Sequence, residues 1–516
     1  MANGKWGVAN GGRQTRRSRA PIRHSPLAIR PALLLLALTT THAVAGELAL
    51  APANMARIAS VDERFQSYNI EMAEVTGGRF WKPYGAPADA PDSAVVSERR
   101  PKDLGNARLR KLAAALSPAF VRVSGTHANT TTFADTDDAP SAPPAGFKAV
   151  LTRRQWQGVV DFSRAVGAPI VTSLAISAGA RDARGVWKPD EARGLFAATR
   201  AMGGNIAATE LMNEPDLPAI GGAPDHYDAE GFGRDFAVFR NFMKREAPGV
   251  RLLGPGTVSG PSTAANRFGA SARGVDAVSY HFYGAVSKRC GGTQMPDAAL
   301  SEAWLSRTDQ AAAFYRRLRD RYAPGKPIWL TETAEAACGG DPWSATFLDT
   351  FRYLDQLGRL ARAGVRIVMH NTLSASDYGL LDEDSFMPRP DYWGALLWRQ
   401  LMGTTVLDSG VAIQPGLHVY AHCERQVSGG VTLLVINNDR NAAQMLVLPQ
   451  ASERYTLDAA NLQDTAVRLN GTTLALDDTG ELPSLSGVKT AAGALTFAPA
   501  TITFLANPSA ANRACR

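Results

Sequence analysis

The chain has 516 residues, 45% hydrophobic and 20% charged, the balance of a folded globular protein too long for one ordinary domain. No run approaches the roughly 20 apolar residues that a membrane span needs, so no integral span is expected. The formal charge of +7 suggests a polyanion partner only until its distribution is considered.

Residues 1–45 are expected to be a secretory signal segment. Lys5, Arg13, Arg16, Arg17, Arg19, Arg23 and Arg30 precede the apolar run Pro31-Ala-Leu-Leu-Leu-Leu-Ala-Leu38, and Ala43-Val44-Ala45 supplies small residues for cleavage. The pair Arg16-Arg17 hints at twin-arginine export, and a basic tail is the plain alternative. Losing the seven basic residues of this segment leaves 48 Lys/Arg against 48 Asp/Glu. Net charge then gives no reason to expect nucleic acid. The location implied is secreted or periplasmic, and the Ala- and Arg-rich composition points to a bacterium.

Residues 46–65 read as an N-terminal strand contributing to a β-sandwich formed further on. From 66 to 402, short apolar runs alternate with helical periodicity. The strand-like runs are 67–73, 120–124, 170–176, 209–212, 250–254, 277–281, 328–331 and 366–370. Helical segments such as 104–115, 155–166, 230–246, 308–322 and 345–363 lie between them. Eight β-then-α units are the count of a (β/α)8 TIM barrel, with a doubly wound sheet as the competitor on pattern alone. Residues 83–91 and 139–146 read as loops. From 403 to 516 the texture is all-β: runs at 417–422, 431–436, 444–448 and 500–505 are punctuated by Gly, Asn and Asp, the signature of a β-sandwich domain.

In a TIM barrel the catalytic groups sit at the carboxyl ends of the strands. Two ends carry glutamate: Glu210-Leu-Met-Asn213-Glu214-Pro215 on the fourth strand and Trp329-Leu-Thr-Glu332-Thr333 on the seventh. Either alone reads as a helix cap or surface carboxylate. Together they suit glycoside hydrolysis, which needs a protonated acid and, in retaining enzymes, an ionised nucleophile about 5–5.5 Å away. Asn213 beside the acid can bond the sugar 2-hydroxyl. Arg122 on the second strand is a candidate to keep a carboxylate ionised. Glu214 should start protonated, its pKa raised by the charge of Glu332.

The segments Phe120-Val-Arg-Val-Ser-Gly-Thr126, Leu211-Met-Asn-Glu-Pro215, Val278-Ser-Tyr-His-Phe-Tyr283, Ile328-Trp-Leu-Thr-Glu332, Asp377-Tyr-Gly-Leu-Leu-Asp382, Pro390-Asp-Tyr-Trp393 and His418-Val-Tyr-Ala-His-Cys423 resemble the heparanase and β-glucuronidase family of retaining glycoside hydrolases. The resemblance implies Glu214 as acid/base, Glu332 as nucleophile, Asn213 at the sugar and Tyr283 bonded to the nucleophile. It implies a glucuronate in the −1 subsite, its carboxylate held by Tyr378 and the amides of Gly339 and Gly340. Thr126, Glu71 and Asn69 are further candidates for sugar contacts. His281 and His370 either line the cleft or are core histidines, and Tyr392 and Trp393 are expected to pack the last helix.

The resemblance also sets out two departures. No long excisable insertion follows the first strand, so an active single chain, a monomer, is expected without proteolytic maturation. Cys338 stands beside the carboxylate-binding glycines, within reach of Cys290, while Cys423–Cys515 matches the family pattern. The substrate implied is heparan sulfate or another glucuronide-containing glycan, cut internally by an endo-β-glucuronidase. An exo-acting β-glucuronidase and a non-catalytic heparin-binding protein are the alternatives. Lys148, Arg153, Arg154, Lys288 and Arg289 are possible sulfate contacts, with solvated surface charge as the plainer reading. No metal or cofactor is implied. Asn129-Thr-Thr131 and Asn470-Gly-Thr472 match the glycosylation sequon, a signal with little meaning in a bacterium.

Overall fold

The computed structural model describes residues 48–516 apart from 86–94, 139 and 141. The signal segment expected at 1–45, and most of the loop expected at 83–91, lie outside the described residues. Residues 48–516 form one compact unit.

Eight parallel strands close into a barrel: β1 (Gln66–Glu71), β2 (Val121–Ser124), β3 (Ile170–Ser173), β4 (Ile206–Glu210), β5 (Arg251–Thr257), β6 (Ala277–Val286), β7 (Ile328–Ala337) and β8 (Ile367–His370). The pairing runs round in chain order, and β8 returns to β1 through Val368 opposite Gln66. Closure excludes the open sheet. Each strand leads to a helix: α1 (Ala107–Ala115), α2 (Arg153–Val166), α3 (Asp190–Ala201), α4 (Ala229–Glu246), α5 (Thr263–Ser271), α6 (Arg307–Tyr322), α7 (Phe347–Arg362) and α8 (Pro390–Leu401).

Local chemistry explains these boundaries. In α2, Thr152 and Gln155 form a reciprocal capping box, and Gly167 ends the helix at φ +65°. Trp156, Val159, Val160, Ser163 and Val166 recur at helical spacing and are buried against the barrel. Inside the barrel, Phe120, Val171, Ala208, Leu253, Ala277, Trp329, Ile367 and Met369 fill the amino end. Polar side chains occupy the layer above.

Strands β6 and β7 overrun the expected 277–281 and 328–331, staying paired out to Val286 and Ala337. Their register slips between Tyr280 and His281, where β7 carries one extra residue, Thr331. A bulge of this kind re-aims the side chains beyond it. Strict alternation would turn Thr331 and Glu332 to opposite faces. Instead, Thr331 Oγ1 donates to Glu210 and Glu332 accepts from Arg122, both inside the barrel.

Beyond α8 the chain is all-β. A nine-stranded sheet contains Met402–Leu407, His418–Glu424, Val431–Asn437, Thr501–Asn507 and Ser452–Asp458 as successive neighbours. Arg57–Ser60 adds its edge, antiparallel to Met402–Leu407. A three-stranded sheet pairs Leu48–Ala49 with Gln444–Leu448, and the latter with Gly493–Phe497. Val419, Leu433 and Leu505 of the large sheet pack with Leu446, Leu448 and Phe497 of the small one. The alternate residues Tyr420, Leu434, Ile436, Ile502 and Phe504 join the core of the barrel helices. Gly358 of α7 lies so close to the Tyr420 ring that a Cβ there would stand 2.4 Å from it. Two disulfides, Cys290–Cys338 and Cys423–Cys515, complete the fold and leave no free cysteine among the described residues. No helix among those residues is long and apolar enough to cross a membrane.

Candidate active site

The carboxyl ends of β4, β6, β7 and β8 bring most of the candidate residues to one mouth. A Glu214 oxygen and a Glu332 oxygen lie within 4.8 Å of one another. Glu214 holds φ +49°, a region uncommon for a residue with a Cβ, and it precedes Pro215, which restricts it further. The strain is tolerated because its neighbour is clamped. Asn129 Nδ2 donates to the Asn213 carbonyl and its Oδ1 accepts from the Asn213 N–H, both at 2.8 Å. Asn129 is fully buried in this role, so its sequon is structural. Asn470 is likewise committed, bonding Thr456 N–H and the Arg454 carbonyl.

Arg122 is the hub beneath the mouth. Its guanidinium donates to Glu332 Oε2 at 2.9 Å, to Glu210 Oε2 at 3.0 Å and to Asn213 Oδ1 at 2.8 Å, and contacts His281 Nε2 at 3.2 Å. The Tyr283 hydroxyl donates to the other Glu332 oxygen at 2.6 Å. His281 Nδ1 stands 3.0 Å from Glu214 and 3.6 Å from Glu332. His281 was read either as a cleft-lining residue in contact with sugar or as a core histidine. The structure buries it wholly, hydrogen-bonded to Glu214 and 3.6 Å from Glu332.

These surroundings drive the two glutamates apart. Burial raises the Glu214 pKa, and the charge of Glu332 adds to it, outweighing the hydrogen bond from His281. Burial pushes Glu332 up as well. There, the His281 ring, whose Nδ1 faces Glu332 at 3.6 Å, the Arg122 guanidinium and the Tyr283 hydroxyl win, and its pKa falls below the usual value. Arg122 is also opposite Glu210, whose pKa burial raises and Arg122 then lowers on balance.

A second group surrounds Asn371, one residue past β8. Its Nδ2 lies 3.1 Å from Glu71 Oε1, 3.1 Å from the Tyr283 hydroxyl and 3.2 Å from the Tyr378 hydroxyl. Burial, and then the charge of Glu332, push the Glu71 pKa well up. Tyr378 packs beside Gly340, which with Gly339 holds φ near +85°. A side chain at either glycine would collide with Ser344 or with Ser376 and Trp81. Asn69 lies deeper, donating to the Thr331 carbonyl at 3.1 Å. Thr126 starts a short 3-10 turn after β2 and is half-buried. His370 is a core histidine: it meets the Tyr378 carbonyl at 2.7 Å, and burial takes its pKa down to about 3. Tyr392 and Trp393 are buried in α8.

The sequence reasoning missed four working residues. Glu210 opens the very segment that ends in Glu214, Asn371 follows a strand end, and Asn129 was visible only as a sequon. Thr331 carried no signal, since the bulge is invisible in composition. The basic candidates fare unevenly. Arg153 pairs with Asp137 at 2.9 Å and Arg154 with Asp138 at 3.5 Å. Arg289 pairs with Asp377 at 2.6 Å and stacks 3.9 Å above Tyr84. The Tyr84 hydroxyl in turn bonds Ser287 and the Arg289 N–H, each at 3.0 Å. This strap joins the loops after β1, β6 and β8.

A closed (β/α)8 barrel with paired glutamates at β4 and β7, abutting a β-rich domain, defines a glycoside hydrolase. The profile of Glycosyl hydrolase family 79, N-terminal domain, matches residues 103–358, and the chain belongs to that family. It is 28% identical to heparanase of Mus musculus over 466 residues, 77% of this chain and 84% of the mouse protein. It is 37% identical to baicalin-β-D-glucuronidase of Scutellaria baicalensis over 169 residues, 31% of this chain and 32% of that one. Among solved structures, a 4-O-α-L-rhamnosyl-β-D-glucuronidase from Fusarium oxysporum 12S superposes with a TM-score of 0.61 at 13% identity, covering 89% of this chain and 99% of the other. That last likeness is one of fold.

Proposed function

We propose that the protein is a retaining endo-β-glucuronidase that cleaves β-glucuronidic linkages of heparan sulfate outside the cytoplasm. The observation that carries the mechanism is the carboxylate spacing within 4.8 Å, oxygen to oxygen. It falls on the retaining side of the separation that distinguishes the two stereochemical outcomes. The opposed pKa shifts support the same assignment.

In this reading Glu332, ionised and held by Arg122 and Tyr283, attacks the anomeric carbon. The carbon–oxygen bond to the leaving sugar breaks, and Glu214 gives its proton to the departing oxygen. The covalent glycosyl-enzyme forms and the charge of Glu332 is lost. Glu214, now a carboxylate, takes a proton from water, which releases the sugar from Glu332. Asn213 Nδ2 has no protein acceptor among the described residues and is placed to bond the 2-hydroxyl. Tyr378 and the amides of Gly339 and Gly340 form the carboxylate end of the subsite, with Glu71 and Thr126 toward the hydroxyls. No metal is invoked for the Glu214–His281–Glu332 triplet, because the Arg122 guanidinium already supplies its positive charge. The glucuronide preference draws on the relatives' names, and export accords with two disulfides.

Two observations favour the exo reading. The Tyr84–Arg289–Asp377 strap ties three loops beside Tyr378, and three of the five basic residues considered for sulfate are neutralised by acids. Incubation with defined heparan sulfate fragments and with a chromogenic β-glucuronide separates the modes. Internal cuts support the endo enzyme. Release of the chromophore alone supports the exo enzyme, and binding without product supports a lectin-like role. Glu214→Gln and Glu332→Gln should each abolish turnover; near wild-type rates in either sink the mechanism.

A further inference from the structure

We propose that His281 is a neutral imidazole, protonated on Nδ1 alone, that decides which oxygen of Glu214 carries the catalytic proton. This rests on the reading of Glu214 as the general acid. The argument starts from Arg122. A guanidinium nitrogen donates hydrogen bonds and never accepts them. Arg122 Nη2, which also donates to Glu210 and Asn213, lies 3.2 Å from His281 Nε2, so a bare lone pair there is the form of the ring that sets no donor against a donor. Burial lowers the His281 pKa and the charge of Glu332 lifts it above the usual value, which would favour a second proton; but a proton on Nε2 would point an N–H at a guanidinium 3.2 Å away in a fully buried site, and that contact decides for the neutral ring. The remaining proton therefore sits on Nδ1.

The charged groups facing the ring are Arg122 from β2, Glu214 from β4 and Glu332 from β7, while Glu210 is already bonded by Arg122. Nδ1 is 3.0 Å from Glu214 Oε1 and 3.6 Å from Glu332 Oε2. The N–H is thus given to Glu214 Oε1, which must accept. A protonated Glu214 then bears its hydrogen on Oε2. Among the described residues no protein group bonds Oε2, and the Glu214 side chain is 14% exposed against 8% for Glu332. The free, proton-bearing oxygen is the one open to the cleft.

The same donor serves the second half-reaction. Once Glu332 is esterified, Glu214 is the sole carboxylate facing Nδ1–H, and the bond favours its ionised, basic form. His281 is a positioning residue, since it reaches the substrate only through Glu214.

Two experiments test this. Neutron diffraction from the intact, deuterium-exchanged protein should show a deuteron on His281 Nδ1 and none on Nε2; density on Nε2, alone or with Nδ1, overturns the proposal. Kinetics on aryl β-glucuronides then separate positioning from structure. His281→Gln places its amide near Nε2, whereas His281→Asn keeps a donor near Nδ1. The Gln variant should lose about 100-fold on a phenyl glucuronide, which needs the acid, but under about 5-fold on a dinitrophenyl glucuronide. The Asn variant should recover most of that loss. Equal losses on both substrates overturn the proposal. A wild-type protein that cleaves no glucuronide would refute the activity reading, while the neutron map would still decide the tautomer.

Discussion

Asn129 grips the main chain of Asn213 from both sides, with 2.8 Å bonds to its N–H and its carbonyl. The next residue, Glu214, sits in left-handed backbone, a conformation costing about 1–3 kcal/mol that must be held from outside. Asn129→Ala should therefore relax the Asn213–Glu214 turn. A loss of kcat/KM on the order of 100-fold is expected, because a misplacement of about 1 Å has that effect. Far-UV dichroism should be unchanged. An Asn129→Ala protein with full activity would show that the clamp is dispensable.

The pH profile follows from the opposed carboxylates. Activity requires Glu332 ionised, and its pKa is below 4.5; activity also requires Glu214 protonated, and its pKa is above 4.5. The rate should rise with pH through the Glu332 ionisation and fall through that of Glu214. A bell in kcat/KM with limbs on either side of pH 4.5 is expected. Tyr283→Phe removes a 2.6 Å donor to Glu332, so the acidic limb should shift upward by about one unit. An unmoved limb would place the control of Glu332 elsewhere.

Stability has its own titration, at the junction of barrel and sandwich. His418 Nδ1 lies 2.6 Å from Asp355 and Nε2 lies 3.0 Å from Glu302. Burial opposes the charge, but the Asp355 carboxylate and both hydrogen bonds raise the pKa to about 9. The folded value exceeds the unfolded value of about 6.5. The contribution is fully present below pH 6.5 and is lost as pH rises through about 9. At most about 3 kcal/mol is involved. Urea midpoints measured at pH 6 and pH 10 should fall for the wild type and change less for His418→Asn.

The Cys290–Cys338 bond spans 48 residues, worth up to about 4 kcal/mol by chain entropy. It fastens the ends of β6 and β7 just before Gly339 and Gly340. Replacing both cysteines by serine should lower the melting temperature. It should also raise KM for a glucuronide about tenfold, equivalent to about 1.4 kcal/mol. A fall in melting temperature with KM unchanged would assign the bond to stability alone.

Much of the fold was legible because each barrel strand is a short apolar run between helical segments, and periodicity reports burial. The glutamates were legible for a topological reason: all eight strand ends of a barrel face one mouth, so Glu214 and Glu332 meet wherever their strands lie in the ring. What escaped depends on stagger between strands. Thr331 shares the barrel interior with Glu332 only because of the bulge, and no residue type announces it. The depth of His281 was equally hidden, since the sequence marks a strand end but not how far the neighbouring strands rise around it. Arg289 was read as a free cation because its partner Asp377 lies on a loop 88 residues away.

The pairing of Arg57–Ser60 with Met402–Leu407 bears on how the chain assembles. The earliest described strands find their sheet partners only after every barrel unit has been synthesised. During vectorial synthesis this edge stays unpaired while the intervening barrel emerges. It is a delayed seam, closed from the far end of the chain. A truncation after α8 would leave Arg57–Ser60 as an open β-edge, a template for self-association rather than a free catalytic barrel.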